Sequence, residues 1–368
     1  MTIHKIDQRY IWIILGGVAI FLRIIIPAIW LETFYSRGLF IGVRFLFDYT
    51  TGLLPIPMLY VFVFGLLSWL GTKLYRRWKA NRRVADDRRI IVRIGSFILN
   101  ILAFASAVIF FFLFLWGFNY GRVPVEDHIG IKPAPLDQSA LLEELNQATI
   151  DLIQAYEPIA NLDSLAFAEF AFNDDLESIM RKEVSNALAA LGYPQPGRPR
   201  ARMLRPTGVL LRISTAGFYM PLVAECNIDA GLHPLQIPHV MAHELAHGYG
   251  FGNEGTCNFW AYLSCRSAID PRIRYSGLLS YWRSVAAQYR WVNPEDYKRV
   301  RATLPAGILK HMQEIRTQMN KFPDLFPAVR DATYNAYLKA QGIEEGLLSY
   351  SRVVLLVKAY RERVENND

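Results

Sequence analysis

The sequence predicts a helical membrane module of three transmembrane helices, joined to a mainly helical α+β domain with a small antiparallel sheet. Three observations carry that prediction. Of the 368 residues 52% are hydrophobic, too many for an ordinary soluble enzyme and too few for a chain wholly within a bilayer. The long apolar runs all precede residue 121. Beyond them a helical period governs most of the chain, interrupted by one stretch of short β-type runs. The boundary therefore falls near residue 120, with a membrane module over 1–120 and a globular domain over 121–368.

The expected spans are about 10–30, 53–74 and 94–118, each long enough for about 30 Å of hydrocarbon. Arg23 and Pro27 interrupt the first, and no small-residue cleavage site follows it, which fits a signal anchor. Residues 31–52 are of mixed polarity and read as a connecting segment, partly re-entrant or interfacial. The formal charge is +7, and nine basic residues from Lys73 to Arg93, set against Asp86 and Asp87, account for the whole excess. A basic loop at 75–93 between two apolar spans is a topology signal and argues against nucleic acid as a partner. The positive-inside rule puts that loop and the N-terminus in the cytoplasm, and the chain beyond Tyr120 outside it.

In the globular part, 139–160 and 162–191 read as helices from the spacing of residues such as Leu141, Leu145 and Ile150. The Pro-, Gly- and Arg-rich stretch 193–206 reads as a linker or exposed loop, its arginines placed to meet solvent, lipid headgroups or an acidic substrate. Thr207 to Ile213 and Gly217 to Ile228 read as strands, and Pro221 marks the second as an edge strand able to pair with an extended peptide. From Pro271 the pattern is helical almost to the end, broken at Pro294, Pro305, Pro323, Pro327 and around Gly342–Gly346.

The chemistry concentrates in His243-Glu244-Leu245-Ala246-His247. Residues four apart share a helix face, so His243 and His247 can offer imidazole nitrogens to one ion, with Glu244 one step round beside a bound water. Pro238 suits the first helical turn, and Gly248, Gly250 and Gly252 end the helix and turn the chain back. Glu254 opens a second helical pattern that runs to Ile269 and can return the third ligand. Asn253 stands where an HExxHxxGxxH pattern would put that ligand, but an amide binds zinc poorly and Glu254 is preferred. His239 shares the face of His243, yet from His239 to His247 the helix rises about 12 Å, too far for both to reach one ion. It reads as a first-turn or cleft-lining residue. The alternative for the histidines is a buried helix whose imidazoles are satisfied in the core. Cys226, Cys257 and Cys265 form no CxxC; small buried thiols are expected, with a bridge from Cys226 to Cys257 or Cys265 left open.

Several segments carry a resemblance: Glu32-Thr33-Phe34-Tyr35-Ser36, Pro55-Ile56-Pro57, Trp116-Gly117-Phe118-Asn119-Tyr120, Glu225-Cys226-Asn227, the histidine motif, Asn258-Phe259-Trp260 and Tyr275-Ser276-Gly277. Over nearly its whole length the chain resembles an uncharacterised bacterial family of integral-membrane proteins with an extracytoplasmic, zincin-like HExxH domain. Glu254-Gly255-Thr256-Cys257-Asn258 is also similar to the ExxxD helix of gluzincin membrane peptidases. That resemblance implies Glu254 as the third zinc ligand and Asn258 as support for a motif histidine. The sequence departs from the pattern at Asn258, where an Asp is usual, and at Thr256, where relatives often carry a second acidic residue.

The expected activity is that of a zinc-dependent hydrolase in the bacterial cytoplasmic membrane, a metallopeptidase before other kinds. Its substrate is a peptide or cell-envelope molecule, Glu244 the general base and Tyr275 a candidate oxyanion donor. The alternatives are a non-catalytic zinc-binding envelope domain and a metal-free membrane scaffold or sensor.

Overall fold

The computed structural model of the chain describes residues 7–81, 88–341, 343 and 352–365. It is mostly helical and divides into two compact units, Met1–Arg122 with Met220–Val223, and Val123–Tyr219 with Ala224–Asp368.

The first unit holds three helices long and apolar enough to cross a membrane. They are α1 (Gln8–Ile25), α2 (Met58–Asn81, apolar over Met58–Arg76) and α3 (Arg88–Leu115, apolar over Ile94–Leu115). Prolines set two of their boundaries inside the expected ones. Pro27 drives Ile26 into extended backbone, which stops α1 at Ile25, and Pro55 and Pro57 delay the start of α2 to Met58. α1 and α3 lie close enough that a Cβ on Gly16 would stand 2.7 Å from the Ser106 carbonyl oxygen. In the basic loop, residues 82–87 lie outside the described residues.

The mixed-polarity segment is helical and largely continuous: Ala28–Trp30, Leu31–Leu39 in π geometry, and Phe40–Asp48. Its polarity is spent on internal pairs. Glu32 accepts bonds from Arg37 and Arg122, each at 2.8 Å, and Arg44 pairs with Asp48 one turn away. All but Arg37 of these side chains are buried to within a few per cent, where an unpaired charge would be costly.

The second unit is built on helices with one small sheet. α4 (Gln138–Tyr156) starts at Asp137, whose carboxylate accepts the Ala140 N–H at 2.8 Å, and α5 is Leu176–Ala190. The sheet differs from the expected one. It has three strands in the order β1-β3-β2, namely β1 (Arg200–Leu204), β2 (Gly217–Met220) and β3 (Glu225–Asp229), and β1 pairs with β3 in parallel. The sheet is therefore mixed and not wholly antiparallel.

The stretch read as an arginine-rich loop supplies β1. Its arginines line one side, Arg200 bonding Glu177 at 2.6 Å and Arg202 bonding Glu225 at 3.1 Å, while Ala201 and Leu204 are buried. Thr207 to Ile213, read as a strand, is instead a turn and a short 3-10 helix. Asp229 captures it: the buried carboxylate accepts the N–H groups of Gly208 (2.6 Å), Leu210 (2.7 Å) and Leu211 (3.1 Å). The run Gly217 to Ile228 is two strands folded into a hairpin, broken at Pro221, with β2 at the sheet edge.

The helices that follow are α6 (Ile237–Gly248), α7 (Glu254–Arg266) and α8 (Pro271–Val292). Pro294–Ala302, Ala306–Met319 and Pro327–Ala340 come next, then α9 (Arg352–Glu365). Prolines sit in the first turn of several of them, where the missing N–H costs nothing. Of the break expected around Gly342–Gly346, residues 342 and 344–346 lie outside the described residues. α7 and α8 touch where a Cβ on Gly277 would be 2.2 Å from Cys265 Cβ. Glu144 of α4 ties the core, accepting from Tyr281 of α8 at 2.7 Å and from Arg361 of α9 at 2.8 Å.

Glu177 on α5 anchors β1, accepting from Arg200, from Arg181 (2.8 Å) and from the Ala201 N–H (3.2 Å). Burial pushes this carboxyl up, but the Arg200 bonds and the charges of Arg200 and Arg181 outweigh it and hold it below its ordinary 4.5. A carboxyl lowered on folding contributes stability that is full above the unfolded value and lost as pH falls. Glu177→Gln should lower the stability of this unit by about 2–3 kcal/mol at pH 7. The deficit against wild type should shrink below pH 4.5, as thermal melts across pH would measure.

Candidate metal centre

Two helices and the corner between them build the site. α6 ends at Gly248, and Gly250, at φ 89°, takes the left-handed backbone that turns the chain. Asn253 then caps α7: its side chain accepts the Thr256 N–H at 3.0 Å, so it organises the helix start and is not a donor to the site. That cap sets Glu254 in the first turn, facing back to α6.

His243, His247 and Glu254 converge, each offering one ligand atom, with all three atoms within 4.8 Å of one another. Glu254 Oε2 lies 3.1 Å from His243 Nε2 and 3.5 Å from His247 Nε2. The other ring nitrogens are engaged. His243 Nδ1 stands 2.8 Å from Asn258 Oδ1, and His247 Nδ1 stands 2.7 Å from the Phe251 carbonyl oxygen. With each Nδ1–H donating to oxygen, each Nε2 carries its lone pair inward. In that tautomer the two lone pairs and the carboxylate face one another, an arrangement that a bound cation would satisfy. The donor set of two imidazoles and a carboxylate suits zinc, which takes such ligands at about 2.0–2.2 Å and leaves a fourth position open.

The electrostatics follow the same logic. Burial works against charge on His247, but the Cys257 thiol and the Glu254 carboxylate outweigh it and hold the imidazole above its usual range. Glu254 is buried too, and His247 and His243 keep it well below the usual carboxylate range. Glu244 behaves oppositely. Burial is the dominant influence and raises its carboxyl to about 7, although His243 and His247 pull it down. Its Oε2 is buried without a hydrogen-bond partner among the described residues. Gly217 of β2 lies over it: a Cβ there would be 2.9 Å from Glu244 Oε1 and 2.8 Å from the Asn227 carbonyl oxygen. Only a residue without a side chain lets the strand run this close.

A family model matches residues 35–357. The chain belongs to that family, described as Protein of unknown function (DUF3810). The match takes in two of the three apolar helices and the whole His-His-Glu cluster. No curated protein and no solved structure matches the chain.

Around the cluster of this DUF3810 chain, the remaining sequence candidates fall in different places. Tyr275 is fully buried; its hydroxyl pairs with His311 at 2.9 Å and its ring packs against Tyr156. None of His243, His247 or Glu254 is among its contacts in the described residues, so it is a packing residue here. His239 is half-buried, its backbone N–H given to Ser276 Oγ at 3.3 Å and its Nδ1 without a partner among the described residues. Burial first, then the charges of His243 and Arg283, hold its imidazole neutral with a pKa near 3. The three cysteines are buried. Cys226 Sγ donates to the Glu244 carbonyl at 3.0 Å, and Cys257 Sγ lies 3.3 Å from His247 Nδ1.

Sequence reasoning missed three contributors: the Phe251 carbonyl, the Cys257 thiol and Gly217. The turn glycines were a signal for the first, since a helix end that reverses directs carbonyls back at its own last turn. Asn258→Ala should weaken zinc binding by about 10–100-fold while His243 and His247 remain. Competition against a chelating indicator would measure the loss, and unchanged affinity would deny Asn258 its supporting role.

Proposed function

We propose that this protein is a membrane-anchored, zinc-dependent hydrolase, acting on peptides before other substrates. The observation that carries the reading is the junction of His243, His247 and Glu254 with a buried Glu244 carboxyl oxygen that has no protein partner among the described residues. A zinc ion, when bound, supplies the Lewis acidity for attack by water on a carbonyl carbon. Glu244 accepts the proton that the attacking water gives up and returns it to the leaving nitrogen. Asn258 and Phe251 fix the tautomers of His243 and His247, so that both rings keep their free nitrogens facing Glu254.

β2 supports a peptide as substrate. It lies at the edge of the sheet, and its Gly217 backbone passes beside Glu244, so an extended chain pairing with that edge would bring its carbonyls to the site. The concentration of positive charge between Lys73 and Arg93 supports a cytoplasmic loop, and hence an extracytoplasmic position for the zinc site. The alternative is a domain that binds zinc without using it.

Glu244→Gln in zinc-loaded, detergent-purified protein decides between the two. It should retain about one zinc per chain and lose about 10²–10⁴ in turnover of a peptide library followed by mass spectrometry. Cleavage by neither would favour the non-catalytic domain, and equal turnover by wild type and variant would overturn the role given to Glu244. A His243→Ala, His247→Ala variant should lose the metal altogether by elemental analysis.

A further inference from the structure

The membrane module contains a cleft that the metal centre does not use. Helices α1 and α3 pack against each other, whereas no residue of the apolar Met58–Arg76 window of α2 is buried. Between α2 and the α1–α3 pair lies a cavity of about 620 Å³. Its walls are apolar and aromatic, with Trp12 from α1, Leu66 and Trp69 from α2, and Phe104 from α3. Trp69 and Phe104 stack at 6.0 Å between ring centroids, which brings α2 to α3 at this level and leaves the space beside them open. Within a bilayer such a space is filled by an apolar chain.

Its polar end is cationic. Lys73 and Arg9 both line the cavity. The Lys73 ammonium sits 4.1 Å from the centre of the Trp69 ring, and no carboxylate among the described residues meets it. Arg9 is ion-paired with the Asp7 carboxylate and donates to Ser96 of α3 at 2.9 Å, so Lys73 carries the net positive charge of this end. Arg9 is near the start of α1 and Lys73 near the end of the apolar window of α2, where a lipid headgroup lies when its chains enter the hydrocarbon. Arg76 and Lys79 follow on the same end of α2 and add to the positive field.

We propose that this cleft binds an anionic phospholipid, with its phosphate at Lys73 and an acyl chain along Trp12, Leu66, Trp69 and Phe104. A cationic mouth above an apolar, aromatic groove matches a molecule that is anionic at one end and hydrocarbon at the other. A zwitterionic lipid would fill the same groove but would set its own cation against Lys73.

Gly65 gives a direct test. It lines the cavity, and a Cβ built on it meets nothing within 4 Å, so a larger side chain there occupies the cleft without displacing the helix. Gly71 is equally open on the same helix but does not line the cavity, which makes it the control. Full-length protein in mild detergent would be titrated with phosphatidylglycerol or with phosphatidylcholine of the same chains, and bound lipid counted by native mass spectrometry. Wild type and Gly71→Leu should retain phosphatidylglycerol preferentially. Lys73→Gln should lower that preference by about five-fold, the effect of one basic residue at an anionic surface. Gly65→Leu should reduce retention of both lipids, with helical content by circular dichroism unchanged. Equal retention of the two lipids by wild type, or wild-type retention by Gly65→Leu, would overturn the proposal.

Discussion

Burying two imidazoles and two carboxylates in one helix corner is the constraint to which the second unit answers. Charges in a low-dielectric interior are tolerated only when paired or coordinated, and here the pairing is built in layers. Glu254 closes on both motif histidines, Asn258 and the Phe251 carbonyl hold the far side of each ring, and Asn253 fixes the start of the helix that carries Glu254 and Asn258. Glu244 is the member left without a hydrogen-bond partner at one oxygen among the described residues. A corner that satisfied every group would have nothing to offer a reactant. The unsatisfied atom lies next to three convergent donors.

The residues that read correctly from sequence are those whose chemistry acts locally. The four-residue spacing of His243 and His247 fixes their shared face. Pro238 and the Gly250 turn place both ends of that helix, and Glu254 follows from the length of the turn. The apolar helices were also legible, because uninterrupted apolar runs of that length are readable locally, and two of their boundaries moved where Pro27 and Pro57 altered the backbone. The sheet was not legible. Arg200 and Arg202 look like loop residues until Glu177 and Glu225, each more than twenty positions away, supply their partners. Val209, Leu211 and Ile213 alternate as a strand would, yet the Asp229 carboxylate offers three backbone N–H groups a better bond than a neighbouring strand does. Both misreadings share one cause, a distant carboxylate that local pattern cannot show. The Tyr275 hydroxyl also has a distant partner, His311 on a helix thirty-six residues further on.

Belonging to a family described only by its number gives the site no inherited role. Its interpretation rests on atoms. The family match reaches into both units, so two of the apolar helices and the His-His-Glu cluster go together in this chain as parts of one matched region. Within the membrane module, the charges of the Leu31–Leu39 π-helical segment and its neighbours are matched internally, with Glu32 shared between Arg37 and Arg122. Among the described residues, Lys73 at the basic end of α2 meets no carboxylate.

The placement of the cluster along the chain has a consequence for how the protein is made. Every residue assigned to the centre, from Gly217 through Asn258, lies in one short contiguous stretch, and its contacts close over small loops. The core tie between Glu144 and Arg361 spans 217 residues. Contacts of short range form early and long-range ones late. A growing chain therefore possesses all three residues of the His-His-Glu cluster well before α9 is synthesised to seal the core around Glu144. Assembly of the cluster and completion of the fold are separable events.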